Sequence, residues 1–177
     1  MVDAEDIKKF ESLKKQLESM EGWKIEMGWR NLGISYYIFM TNYNQLKASL
    51  ELFNSKEASK LWAIENRSKM NQFQIEVIRL FHNYLASVKS LVEHTRIMVE
   101  EVHGNKEFLS EYELKKQEIF VNSPLSRFVQ QLRNYILHKG IPDIIVRKTF
   151  DESNEEANSF IMDLTSLRSW GGWKGKR

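Results

Sequence analysis

From Met70 to Val102 the chain contains neither glycine nor proline, and its apolar residues recur every three or four positions. Phe73, Val77, Leu80, Tyr84, Leu91 and Met98 mark the stripe. Such a stripe can be buried only if the segment is one continuous helix, on the order of 45–50 Å long at 1.5 Å per residue. A helix of that length needs partners along it, so the rest of the chain has to supply packing faces. The expected fold is therefore mainly α: a bundle of five or six helices.

The flanking segments fit that demand. Asp3 is a candidate N-cap for a first helix with Ile7, Phe10, Leu13, Leu17 and Met20 at helical spacing and Gly22 past its end. After a Trp23–Gly33 stretch interrupted by glycines, Ile34 to Phe53 reads as an aromatic-rich helix, and Ser55 with Ala58 reads as a fresh start after a loop. Gly104 should end the long helix, and Glu107 to Val121 reads as a shorter one. The best-punctuated helix follows. Ser123 sits at its N-cap, Pro124 at its first position and Gly140 after its last turn, with Pro142 blocking continuation. Leu125, Phe128, Val129, Leu132 and Ile136 are its expected core stripe.

The pattern then changes. Asp143 to Phe150 is rich in β-branched residues, Asp151 to Glu156 is polar and turn-like, and Asn158 to Thr165 reads as a returning strand. The domain reading is a helical bundle over 1–142, a β-hairpin over 143–165 attached to it, and a basic tail over 166–177. That tail holds Arg168, Lys174, Lys176 and Arg177 with Trp170 and Trp173. It reads as a frayed terminus, or as a chain that stops within a longer protein.

Composition narrows the function classes. Lys+Arg 26 against Asp+Glu 24 gives a net charge of only +2, ordinary surface solvation rather than a signature of nucleic-acid binding. With no cysteine, disulfides and thiolate metal sites are excluded, which fits a reducing cytoplasm. No run of eighteen apolar residues occurs, so a membrane partner is not expected and a soluble cytoplasmic chain is. Gly-rich phosphate loops, nucleophile elbows and His-Glu-x-x-His are absent, and His94 and His103 lack a histidine partner at i+4, so neither a cofactor nor a metal is expected.

One place brings a phosphate-binding cation, an amide and an imidazole together: Arg133-Asn134-Tyr135-Ile136-Leu137-His138. These are the groups a metal-free ribonuclease needs. Arg133 offers forked donors to a phosphate as charge builds, Asn134 can hold a hydroxyl or phosphate oxygen, and His138 can act as acid or base. Arg133 and His138 lie five apart, about 140° around a helix, so one copy makes a poor cleft. Two copies meeting on a two-fold axis through this helix would bring each Arg to the other's His. The ordinary alternative has Arg133 flanking the core and His138 capping the helix end by binding a carbonyl.

The segment Phe128 to Pro142, with its Arg-x(4)-His spacing and Arg-Asn start, resembles the motif helix of HEPN domains. Leu80 to Arg96 looks like the helix that packs beside it in uncharacterised bacterial proteins of that type. The resemblance covers chiefly Phe73–Arg96 and Pro124–Pro142; the first seventy residues carry none of it. It implies a helical dimer acting as a metal-independent endoribonuclease or RNA-binding protein of a bacterial defence or toxin-type system. Arg133, Asn134 and His138 would be the site, with RNA and an antitoxin or other protein as partners. The upstream acidic or polar residue of some members of the family has no recognisable counterpart here.

Two further features were open to a functional reading. His82 and Glu93, eleven residues apart and so near one line of the long helix, could form a polar seam facing Arg133 and His138; a solvated face is the plainer reading. Trp29, Tyr36, Tyr37, Phe39 and Tyr43 could stack on bases, but aromatics so spaced are expected in the core. Two other classes compete with the ribonuclease. One is a non-catalytic helical dimerisation or protein-interaction module. The other is a DNA-binding regulator, which lacks the Lys/Arg-rich helix face it would need.

Overall fold

A computed structural model of the chain describes residues 3–55, 58, 60, 63–102, 106–150 and 156–173. The readings placed on His103, Gly104, 151–155 and the basic residues 174–177 lie outside them. The architecture is a mainly helical bundle with a small C-terminal hairpin. In order the elements are α1 (Ala4–Ser19), α2 (Glu21–Phe53), α3 (Arg67–Val102), α4 (Lys106–Lys116), α5 (Pro124–His138), β1 (Ile144–Phe150), β2 (Glu156–Met162) and α6 (Leu164–Arg168). A π-helical turn, Gln117–Val121, extends α4 toward α5.

The α2–α3 pair is the frame. Both helices exceed thirty residues, and they pack along their lengths. The expected break at Trp23–Gly33 does not occur: Gly22, Gly28 and Gly33 all lie within α2. An isolated glycine in a helix costs about 1 kcal/mol against alanine, a penalty that long packing against α3 can absorb. The real break is at Met20, whose extended backbone (φ −73, ψ 137) ends α1 and starts α2.

At one end of the frame Phe53, 1 % exposed, stacks on Phe73 at 5.7 Å and meets Phe160 of β2 at 4.3 Å. Buried Asn158 donates to the Phe53 carbonyl oxygen (3.1 Å), and Gln74 donates to that of Ile144 (2.5 Å). These contacts tie the hairpin to α2 and α3. β1 and β2 pair antiparallel from Ile144 opposite Met162 to Phe150 opposite Glu156. The second strand starts and stops earlier than its sequence pattern suggests. Its end is set by Asp163, which accepts from the Thr165 amide (2.9 Å) and caps α6.

The second core cluster positions the motif helix. Leu132 and Tyr135 of α5, Leu85 of α3 and Leu167 of α6 are buried together, with Trp170 and Trp173 packed against them. Trp170 meets Tyr135 edge-on at 5.4 Å, and Trp173 stacks on Phe128 at 5.8 Å. As far as Trp173, then, the segment expected as a frayed basic tail packs against the core, because the chain after α6 brings Trp170 and Trp173 back onto α5. Leu125, expected in the α5 stripe, is 69 % exposed, and Tyr135 takes the buried place.

Candidate functional site

α5 begins and ends as its punctuation demands. The Ser123 hydroxyl accepts from the Ser126 amide (3.3 Å), Pro124 fills the first position, and His138 is the last helical residue. At the C-terminus the amides of Lys139 and Gly140 both donate to the Tyr135 carbonyl oxygen (2.8 and 3.2 Å). Backbone groups therefore close the helix, and Gly140 at φ +147 turns the chain away. The His138 imidazole has no part in this closure. It is exposed and makes no hydrogen bond with the described residues.

Arg133 sits just past the middle of α5, half-buried between core and solvent. With Ile136 and Leu137 of α5 and His82, Leu85 and Ala86 of α3 it lines a shallow cleft of about 40 Å³. That is far below the roughly 300–1,000 Å³ of a pocket that encloses a small molecule. Such a cleft can receive the edge of a ligand lying across α3 and α5.

The arginines of α3 and α5 differ in how far they are committed. Arg79 spends its guanidinium on Glu76 (2.5 and 2.7 Å). Arg96 spends its own on Glu93 (3.0 Å) and Glu100 (2.8 Å). The Lys89 ammonium, first, and Arg96, second, hold the Glu93 carboxyl below the usual carboxylate range. By contrast Arg133 has no ion pair or hydrogen bond with any described residue, and neither has Asn134. An uncommitted guanidinium offers its forked donors to an anionic ligand.

The structure thus joins Arg133 to His82 and leaves Asn134 and His138 outside the cleft they share. Of the expected α3 seam only His82 faces α5, since Glu93 belongs to the surface network with Lys89 and Arg96. His94 points elsewhere: its Nδ1 is hydrogen-bonded to the buried Ser35 hydroxyl of α2. The sequence carried a signal for His82, its three-turn alignment along α3, but nothing that separated it from Glu93. The aromatic group on α2 is mostly not core in this chain. Trp29, Tyr36 and Tyr37 are 55 %, 55 % and 71 % exposed, while Phe39 packs on Tyr84 at 5.8 Å.

Among the described residues no three His, Asp or Glu side chains cluster closely enough to hold a metal ion, and no helix is long and apolar enough to cross a membrane. No family model, curated protein or solved structure matches the chain.

Proposed function

We propose that the α3–α5 face is the RNA-binding surface of a HEPN-like, metal-independent endoribonuclease or RNA-binding protein of the bacterial defence or toxin type. The observation that carries this reading is Arg133, half-buried, unpaired among the described residues and set beside His82 at the lip of a cleft. Arg133 binds a backbone phosphate with its forked donors, and Asn134 steadies a hydroxyl or phosphate oxygen beside it. His138 exchanges the proton of the 2′-hydroxyl or of the leaving 5′-oxygen. His82 is a second group able to fill that role from α3. Because Arg133 and His138 do not converge within one chain, pairing of two chains through α5 completes the site.

The test is cleavage of a mixed RNA pool in EDTA by the wild type and by Arg133→Ala, His138→Ala and His82→Ala, each checked for folding. Loss of cleavage in Arg133→Ala and in at least one histidine variant is expected. A wild type that neither cuts nor binds RNA sinks the reading.

One observation favours a second reading, a non-catalytic helical interaction module. Large apolar side chains outside the cleft lining, Phe10 and Tyr37 among them, stand in solvent at 66 % and 71 % exposure. In that reading Arg133 lies on a partner-binding face, and RNA leaves no mark on it.

A further inference from the structure

Two apolar faces lack a covering layer among the described residues. The first is on α1. Ile7, Phe10, Leu13, Leu17 and Met20 form one stripe at helical spacing, each 44–66 % exposed, and no residue of α1 is buried. A sixteen-residue helix has little stability alone in water, so its apolar face needs a partner. The second face is on α2. Between Trp29 and Tyr43 the helix is apolar on nearly every side, the signature of an interior helix. Yet α3 covers only the side that carries Ser35 and Phe39, and Trp29, Ile34, Tyr36, Tyr37 and Ile38 remain exposed.

The two faces match in length. Ile7 to Met20 spans about 20 Å and Trp29 to Tyr43 about 21 Å at 1.5 Å per residue. They cannot meet within one chain. α1 ends at Ser19 and α2 begins at Glu21, so Met20 alone joins them, whereas an antiparallel helix pair needs a loop of about 2–5 residues. A second copy removes the obstacle, because its α1 is not tied to this α2. The total surface agrees with such a contact. The chain exposes 13739 Å², where a compact monomer of 21.0 kDa exposes about 9,000 Å². The excess exceeds both the ~800 Å² that each partner gives to a standard interface and the roughly 1,000–2,500 Å² that each gives to an obligate one, so area for such a contact is present.

We infer that the chain forms a reciprocal dimer in which α1 of each copy lies along the Trp29–Tyr43 face of the other. The contact is isologous, so both faces of both copies are covered at once and the assembly closes at two. It uses a surface distinct from α5. A further pairing through α5 would make a tetramer, and breaking the α1 contact then halves the mass from four copies to two instead of from two to one.

Light scattering on a sizing column, at micromolar protein, reads the mass of the wild type and two double variants. Phe10→Glu/Leu17→Glu disables α1, and Tyr36→Glu/Tyr37→Glu disables the α2 face. All four positions face solvent in the monomer, so circular dichroism should show both variants folded. The expected result is a wild type of at least two copies and half that mass for each variant. Mixing the two variants should restore part of the larger species, because one of the two contacts then joins intact faces. Three results overturn the inference: a monomeric wild type, an α1 variant that keeps the wild-type mass, or an α2 variant that keeps it. A monomeric wild type that binds vesicles of phosphatidylserine and phosphatidylcholine would assign the α1 stripe to a lipid surface. The RNA assay decides the α3–α5 reading independently of all these outcomes.

Discussion

Leu132 and Arg133 are neighbours on α5, yet their truncation should have opposite consequences. Leu132 is 2 % exposed and packed with Leu85, Tyr135 and Leu167. Leu132→Ala removes three buried carbons, a transfer loss of about 2.4 kcal/mol at ~0.8 kcal/mol each. The rigid surroundings, two tryptophans among them, collapse only partly into the space, so the cavity raises the total to about 3–5 kcal/mol. For a chain of this length that lowers Tm by roughly 6–20 °C. Arg133 has no partner among the described residues whose loss would leave a buried group unpaired. Arg133→Ala should therefore stay within about 0.5 kcal/mol of the wild type, as surface changes do. Its loss should appear in RNA binding, where one charge-assisted bond is worth about 1.5–3 kcal/mol, or roughly 10–150-fold in affinity. The slope of log affinity against log salt should fall by about one. Thermal denaturation of both variants, with filter binding at several salt concentrations, reads these quantities. If Arg133→Ala melts as early as Leu132→Ala, the guanidinium is holding the fold together and the proposed site is wrong.

Two further perturbations probe how the segment after the motif helix is held. Gly140→Ala should destabilise by about 1–3 kcal/mol in chemical denaturation, although open space surrounds the position, because φ +147 is unfavourable for any residue with a Cβ; an unchanged midpoint would contradict the turn geometry. The Thr165 amide, first, and its hydroxyl, second, hold the Asp163 carboxyl below its ordinary range. A lowered folded-state pKa makes the contribution complete above the unfolded value of about 3.9 and lost as pH falls through the folded value. Asn caps helices comparably but does not titrate, so the Tm advantage of the wild type over Asp163→Asn should be constant above about pH 5 and shrink from pH 4 downward. A difference that stays flat to pH 2 would show that the cap charge contributes nothing.

The helices were legible where punctuation and periodicity agreed. Ser123, Pro124 and Gly140 fixed both ends of α5, and the unbroken stripe fixed α3 to within a few residues. Reading failed where a local cost was outweighed by distant packing. The glycines of α2 signalled a loop, but the frame with α3 keeps them helical. Likewise the wheel gave the apolar face of α5 without showing how far α3 and α6 reach along it. Leu125 lies beyond that reach, while Tyr135, beside the stripe, meets Trp170. For the site, the positions of Arg133, Asn134 and His138 on the last turns of α5 follow from the sequence. The partner from α3 does not, because His82, Glu93 and His94 are equally polar in sequence, and only packing turns the first toward α5, the second to solvent and the third to Ser35.

By itself, then, the sequence determined the elements: long glycine- and proline-poor stripes that must be helices, a capped motif helix, and a β-branched pair of segments that must be a hairpin. These follow from backbone conformational preference and period, which are local. Tertiary structure decided which faces are covered. It folded Trp170 and Trp173 onto α5, set Arg133 beside His82, and left the apolar stripe of α1 and the aromatic side of α2 exposed. Coverage depends on which elements reach one another in space, and a one-residue junction at Met20 can forbid a contact that two matching stripes would otherwise make.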